Sequence, residues 1–449
     1  MDRSETKHIL KEAFVESWLG FMALSSYITS VLLGESQIII GALAVLSAVL
    51  FMNGFAKTEL FLTSRAPSWW STHPSLKWLH SVSEEGELAG VLIGIIFFIC
   101  MTQREHAPHI HLPIAGALAL VGIMSAANMA IKKVIPIMAF IERAFGVQIA
   151  VFTGALLSSL TGAAASVFVC EYFKERILEE KKADFATRFA AALSLGNGLF
   201  PFAAPPILIV WSLLQEKLGW NIGTLLLFIG IPAAIYAFLM TIKISTLLDE
   251  RSVMDERIKL SIGYQLPILI GIVLGNIIAY DSIFVICLNV AVGLIATINA
   301  KGFHGRFGAW ALGMLLVSLE IIGSEAGEFV AWLAVTMIPT GVSTLVLGLV
   351  LFYLSAFISH FADNALASKL VMTAAIASPA FGLHGDFLAI SVVIGALAGG
   401  FALIPANLPN FPIARILVIS PDSWAKSSIK IYWTIIFFFI WLAGLYFLL

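Results

Sequence analysis

Long apolar runs separated by short polar stretches make up most of the chain. Runs of about 20 largely apolar residues, the length that crosses a bilayer as a helix, occupy 14–33, 37–56, 86–102, 112–131, 222–242, 262–280, 282–300, 309–330 and 429–449. Two further stretches, 188–214 and 386–413, are long enough to cross but are interrupted by Pro and Gly, and are expected to be broken helices. Two more, 148–175 and 350–377, are apolar with small polar residues in the middle, the pattern of a re-entrant hairpin. The N-terminal MDRSETKHILKEAF mixes charged and apolar residues without a signal-peptide pattern, so it is expected to be an amphipathic lead-in to the first span. In 307–351, Glu320, Glu325 and Glu328 interrupt an apolar stretch. Its second part is read as an interfacial helix, with the glutamates at the outer interface; a vestibule role for Glu320 is the alternative. The fold expected is an all-α polytopic membrane protein with about eleven transmembrane helices, two of them broken, plus two re-entrant hairpins.

Composition agrees with this pattern. Of 449 residues, 59% are hydrophobic and 12% charged, about half the charge of a soluble domain. That excludes a soluble enzyme, a nucleic-acid binder and a disordered scaffold. The net charge of −2 says little; its placement says more. With the N-terminus inside and each hairpin returning to its own side, all 26 Lys and Arg fall inside except Arg104, Lys217 and Lys369, as the positive-inside rule requires. The run from Lys174 to Lys182 then reads as a cytoplasmic anchor that can touch anionic lipid. Cys100, Cys170 and Cys287 lie in or beside apolar runs with no CxxC, so neither disulfides nor a cysteine metal site is expected.

The two hairpin tips resemble each other. Thr161–Ser166 aligns with Asp363–Ser368 at an offset of 202, and Gly196–Pro205 aligns with Gly400–Pro409 at an offset of 204. Five crossings separate the tips, an odd number, so the repeats are expected to be inverted, with the hairpins entering from opposite faces and meeting near mid-membrane. Many secondary transporters build their binding sites this way. The division expected is residues 1–36 as N-terminus and first span, 37–245 as first repeat, 246–261 as cytoplasmic linker and 262–449 as second repeat.

Candidate chemistry centres on Asp363. An ionised Asp in mid-membrane costs roughly 2.5–3.5 kcal/mol on insertion scales, so it normally faces a cavity or partner. Burial favours its neutral form and a bound cation its charged form, so one carboxylate can hold H⁺ or Na⁺ but not both. Asn364 beside it, and Ser158, Ser159, Thr161 and backbone near Gly162 at the first tip, offer neutral oxygen. So do Asn197 at the first break and Asn407 and Asn410 at the second. Hard cations prefer such ligands. His360 and Lys369 stand as modulators, Lys369 also as an ion-pair partner for Asp363. His106, His109 and His111 fall in a short outside loop and are not read as a metal site. Without HExxH, paired metal-binding aspartates or a nucleophile–base set, an intramembrane enzyme is not expected, nor is a cofactor beyond the transported Na⁺ and H⁺.

At Ser359-His-Phe-Ala-Asp363-Asn364 and Gly399-Gly400-Phe-Ala-Leu-Ile-Pro405-Ala-Asn407-Leu-Pro409-Asn410 the chain resembles the ion transporter superfamily. That group includes Na⁺/H⁺ antiporters of the NhaD and NhaB types, arsenite permeases and divalent-anion/Na⁺ symporters. The resemblance implies eleven spans, two hairpins, a homodimer, elevator-like movement and a multi-pass location in the bacterial inner membrane with a cytoplasmic N-terminus. Ser159-Leu-Thr161 and Ala362-Asp363-Asn364 depart from the Ser-Asn-Thr motif of the dicarboxylate branch, and Leu403 and Ala406 replace a Thr and a Gly of the second break. The function expected is exchange of Na⁺ or Li⁺ for H⁺. The alternative is a Na⁺-coupled symporter of a small organic or inorganic anion, with Lys369 or helix dipoles holding substrate. Small ions and membrane lipids are the partners expected, with no nucleic acid.

Overall fold

The computed structural model describes residues 3–48, 50, 86–103, 111–161, 164–201, 204–249, 263–300, 303–337, 341–361, 364–407 and 409–448. Apart from one isolated bridge between Ile177 and Leu248, the regular structure among them is helical. In chain order the helices are α1 (Arg3–Leu32), α2 (Gln37–Ala48), α3 (Gly86–Gln103), α4 (His111–Phe145), α5 (Val147–Thr161) and α6 (Ala164–Phe173). Then come α7 (Lys182–Gly196), α8 (Pro205–Leu218), α9 (Ile222–Thr241), α10 (Gln265–Ala279), α11 (Ile283–Asn299) and α12 (Phe303–Glu325). The remainder are α13 (Gly327–Met337), α14 (Thr344–Phe361), α15 (Asn364–Ala377), α16 (Phe381–Gly399), α17 (Asn410–Leu417) and α18 (Pro421–Tyr446).

Four stretches, Ile222–Thr241, Gly308–Glu325, Phe381–Gly399 and Pro421–Tyr446, are long and apolar enough to cross a membrane. Large apolar side chains such as Ile278, Phe284, Ile298 and Ile440 point outward, as they do on a surface that faces lipid. This is the architecture of a helical membrane protein.

Local sequence sets where helices stop. Gly146, at φ +88°, takes the left-handed turn that separates α5 from α4. Pro205 and Pro206 open α8, where a missing N–H costs nothing, and Ala204 before them is extended. Ser282 caps α11 and Ser420 caps α18, each accepting from a backbone N–H three residues on. A widened turn, Leu226–Gly230, precedes Pro232 in α9. Pro232 has no N–H to give its preceding turn, and the wider turn absorbs that loss.

Among the boundaries that differ from the sequence expectation are the end of α4 and the start of α14. α4 does not stop near residue 131 but runs through Pro136 to Phe145. Lys132, Lys133 and Pro136 read as an end in sequence, yet a proline inside a helix removes one bond without forcing a stop. α14 begins at Thr344, ahead of the residue 350 expected.

Packing relies on small residues. A Cβ on Gly395 or Gly399 of α16 would run into the carbonyl of Phe352 or Ala356 on α14. The backbones therefore touch, as small residues allow between membrane helices. Ser355 and Ser359 of α14 donate to the carbonyls of Val392 and Ala396 (2.9 and 3.0 Å), joining the two helices along their length. α5 meets α7 likewise: Gly196 lies against the Ala155 carbonyl, and Ser158 donates to the Leu193 carbonyl at 3.2 Å. The other helices pack crosswise: α8 lies on α15 and α17 on α6, while α3 packs on α12 and α11 on α4. A reciprocal amide pair, Asn276 with Asn289, ties α10 to α11.

Candidate ion-binding site

α5 ends at Thr161 and α6 begins at Ala164, while α14 ends at Phe361 and α15 begins at Asn364, so the expected tips fall between these helices. Asp363 and Gly162 lie outside the described residues, as does the Thr161 side chain. So do His106 and His109. The site is therefore built from the residues that flank them.

α7 ends at Gly196 in a short turn, Asn197–Leu199, and the chain resumes as α8 at Pro205. α16 ends at Gly399, and after a turn at Ile404–Ala406 the chain resumes as α17 at Asn410. The two breaks meet. Ser194 of α7 donates to the Leu397 carbonyl of α16 at 2.7 Å, across 203 residues of sequence. Gly400 faces the Ser194 hydroxyl on one side and the Asn364 amide on the other, and a methyl group there would contact both. Gly198 sits against Leu397 and against Ile229 and Ala233 of α9.

At the second break, four successive carbonyls are engaged by side chains. Asn410 gives its amide nitrogen to the carbonyls of Gly400 (2.7 Å) and Leu403 (3.0 Å). Trp424 donates to Phe401 (3.0 Å) and Ser428 to Ala402 (2.7 Å). These carbonyls are thus largely spent on holding the break open.

The side-chain amides are only partly spent. Asn364, 1% exposed as the first residue of α15, has neither its amide oxygen nor its nitrogen hydrogen-bonded. Asn410 is fully buried, and its two bonds orient the amide so that Oδ1 is the atom without a partner. Asn197 Oδ1 and Asn407 Nδ2 are likewise buried and without partners. A buried polar atom left so costs about 1–3 kcal/mol, and native proteins seldom keep several together without a ligand to satisfy them. The amide oxygens of Asn364, Asn410 and Asn197 are each of the neutral kind that hard cations prefer. Among the described residues, no group of three or more His, Cys, Asp or Glu gathers as a metal site.

Ser158 and Ser159 behave differently. Each donates to the carbonyl of its own preceding turn, Ala155 at 2.5 Å and Leu156 at 2.7 Å, the ordinary use of Ser in a helix. Ser158 also reaches Leu193 of α7, so it fastens α5 to α7. His360 bonds the Tyr432 hydroxyl at 2.8 Å and so ties α14 to α18. Lys369 pairs with Glu320 of α12 at 2.7 Å, both largely buried; its other expected partner, Asp363, lies outside the described residues. Glu320 and Glu325 are correspondingly buried within the helix packing; Glu325 accepts from Tyr27 of α1 at 2.7 Å.

Sequence reading missed Ser194, Trp424, Ser428 and the Glu320–Lys369 pair. Ser194 was findable as the small polar residue two positions ahead of the Gly196-Asn197 break. The other contacts join residues far apart in the chain and leave no local signal. No protein-family profile matches the chain, and no curated protein matches it.

Proposed function

We propose that the chain is a secondary active transporter that exchanges Na⁺ or Li⁺ for H⁺ across a bacterial inner membrane. Asp363 is its shared proton and cation site, assisted by the amide oxygens of Asn364, Asn410 and Asn197. The observation that carries this reading is that Asn364, beside Asp363 in sequence, and Asn197 and Asn410, at the helix breaks, each bury an amide oxygen without a partner. A neutral oxygen cage with one titratable acid binds a cation when charged and is released from it by a proton.

The architecture we propose is two inverted repeats, with α5–α6 and α14–α15 as re-entrant hairpins and α7–α8 and α16–α17 as broken helices among eleven spans. Paired contacts support it. Ser158 to Leu193 matches Ser359 to Ala396, and Gly196 on Ala155 matches Gly399 on Ala356. The offset is 201 in α5/α14 (158 to 359, 155 to 356) and 203 in α7/α16 (193 to 396, 196 to 399). Ser194 touches Leu397, its own counterpart at that offset, which happens only beside a twofold axis. The crosswise packing of α8 on α15 and α17 on α6 follows the same symmetry. A kink at His384 leaves Gly385–Gly399 as the counterpart of Lys182–Gly196. On this reading the hairpins and breaks move as one body against the remaining helices, in an elevator-like step within a homodimer.

An anion symporter of the same superfamily is disfavoured by one feature: Lys369, the cation that would hold substrate, is already neutralised by Glu320. Reconstitution in proteoliposomes with Asp363→Asn tests the proposal. The variant is expected to lose at least tenfold in sodium-driven proton movement, and undiminished exchange defeats the assignment.

A further inference from the structure

The Glu320–Lys369 pair has no role in the site described above, yet it joins two bodies that the proposed mechanism moves apart. Glu320 sits on α12, and Lys369 on α15, whose first residue is Asn364. The side chains are 10% and 11% exposed. Lys369 reaches Glu320 by passing over Gly323, where a Cβ would strike its Cγ. Ser324 lies 3.4 Å from Glu320 Oε1, while Oε2 is buried without a partner. Among the described residues, Lys369 is the one charge paired with Glu320. α3 and α4 turn Val91, Ile95, Ala117 and Leu118 toward α12. Glu216 and Lys217 of α8 are exposed and pair with each other, Glu328 of α13 is exposed, and Glu325 of α12 is taken by Tyr27 of α1.

We propose that Glu320 is a second proton-exchanging carboxylate, ionised while Lys369 is against it and protonated when α15 withdraws. This rests on the reading of α14–α15 as part of a moving body. A carboxylate stranded in a dry interior takes up a proton instead of remaining charged. The proton comes from water and adds to a Glu320 oxygen; Lys369 keeps its own protons and its charge as it leaves. When the pair re-forms, the carboxyl releases that proton to water. Contact between α12 and α15 thereby sets whether Glu320 carries a proton, which couples position to proton load.

Two variants and one stoichiometry test this. Glu320→Gln with Lys369→Met replaces the pair by neutral side chains. Lys369→Met alone leaves an acid that folding accommodates by protonating it. In proteoliposomes both are expected to move one proton fewer per sodium than the unaltered protein, and to lose the part of the pH profile that Glu320 supplies. An unchanged ratio and profile in both makes the pair a structural tie and overturns the proposal while sodium–proton exchange stands. Infrared difference spectra between acid and neutral pH supply a readout that needs no transport. A protonated-carboxyl band present in the unaltered protein and missing from the double variant is expected even if the transported ion is misassigned. Its persistence in the double variant refutes proton uptake at Glu320.

Discussion

Asparagine plays two distinct parts at the helix breaks, and the difference can be measured. Asn364 makes no hydrogen bond that its removal would break, whereas Asn410 holds two carbonyls. Asn364→Ala is therefore expected to change stability by less than about 1 kcal/mol while lowering cation affinity at least tenfold. Asn410→Ala strands the Gly400 and Leu403 carbonyls and is expected to cost about 2 kcal/mol as well as affinity. Thermal unfolding in detergent beside sodium titration separates the two; equal destabilisation by both variants contradicts the division. Asn197, Asn364, Asn407 and Asn410 were all legible in sequence, because an amide is conspicuous in an apolar run. Which of them is engaged was not legible, since that depends on carbonyls freed by the breaks. The serines misled for the opposite reason: Ser158 and Ser159 can bond their own helix wherever they fall.

At the scale of elements, the closest approaches are made by glycines facing carbonyls. Gly196→Ala and Gly399→Ala each push a methyl group into backbone, at Ala155 and Ala356, and a backbone obstacle cannot rotate away. Each is expected to destabilise by about 1–3 kcal/mol, with similar losses if the two contacts are equivalent. A large difference between their melting shifts would argue against the repeat. On the proposed repeat, the sequence alignment lies one residue away from the register of the contacts, 202 and 204 against 201 and 203. Runs of Gly, Ala and Leu match almost as well after a slip, and only the contacts fix the register. The cytoplasmic end of α7, as the proposed topology orients it, offers a test by pH. Burial opposes the charge on Asp184, but bonds from Ser427 and Lys430 outweigh it and hold its carboxyl below the ordinary range. A lowered folded value contributes stability above the unfolded value, about 3.9, and that contribution disappears as pH falls through the folded value. Asp184→Asn is expected to flatten the acid end of a stability–pH curve and to leave the neutral arm parallel to that of the unaltered protein.

For the whole molecule, the apolar runs located nearly every described helix, because spanning a bilayer requires length and hydrophobicity that sequence displays directly. The end of α4 escaped because charge and proline mark the edge of the apolar layer and not the end of a helix. The burial of Glu320 and Glu325 escaped because their partners, Lys369 and Tyr27, lie on distant helices. The arrangement of breaks, amides and a neutralised lysine favours a small cation over an anion as cargo. Proton flux from acid-loaded proteoliposomes, recorded as Na⁺, Li⁺, K⁺ and a panel of organic and inorganic anions are added in turn, tests that claim most directly. The account expects Na⁺ or Li⁺ alone to drive protons out, with no anion required. Proton flux that needs an anion, or sodium-dependent anion uptake with no proton counterflow, would contradict it.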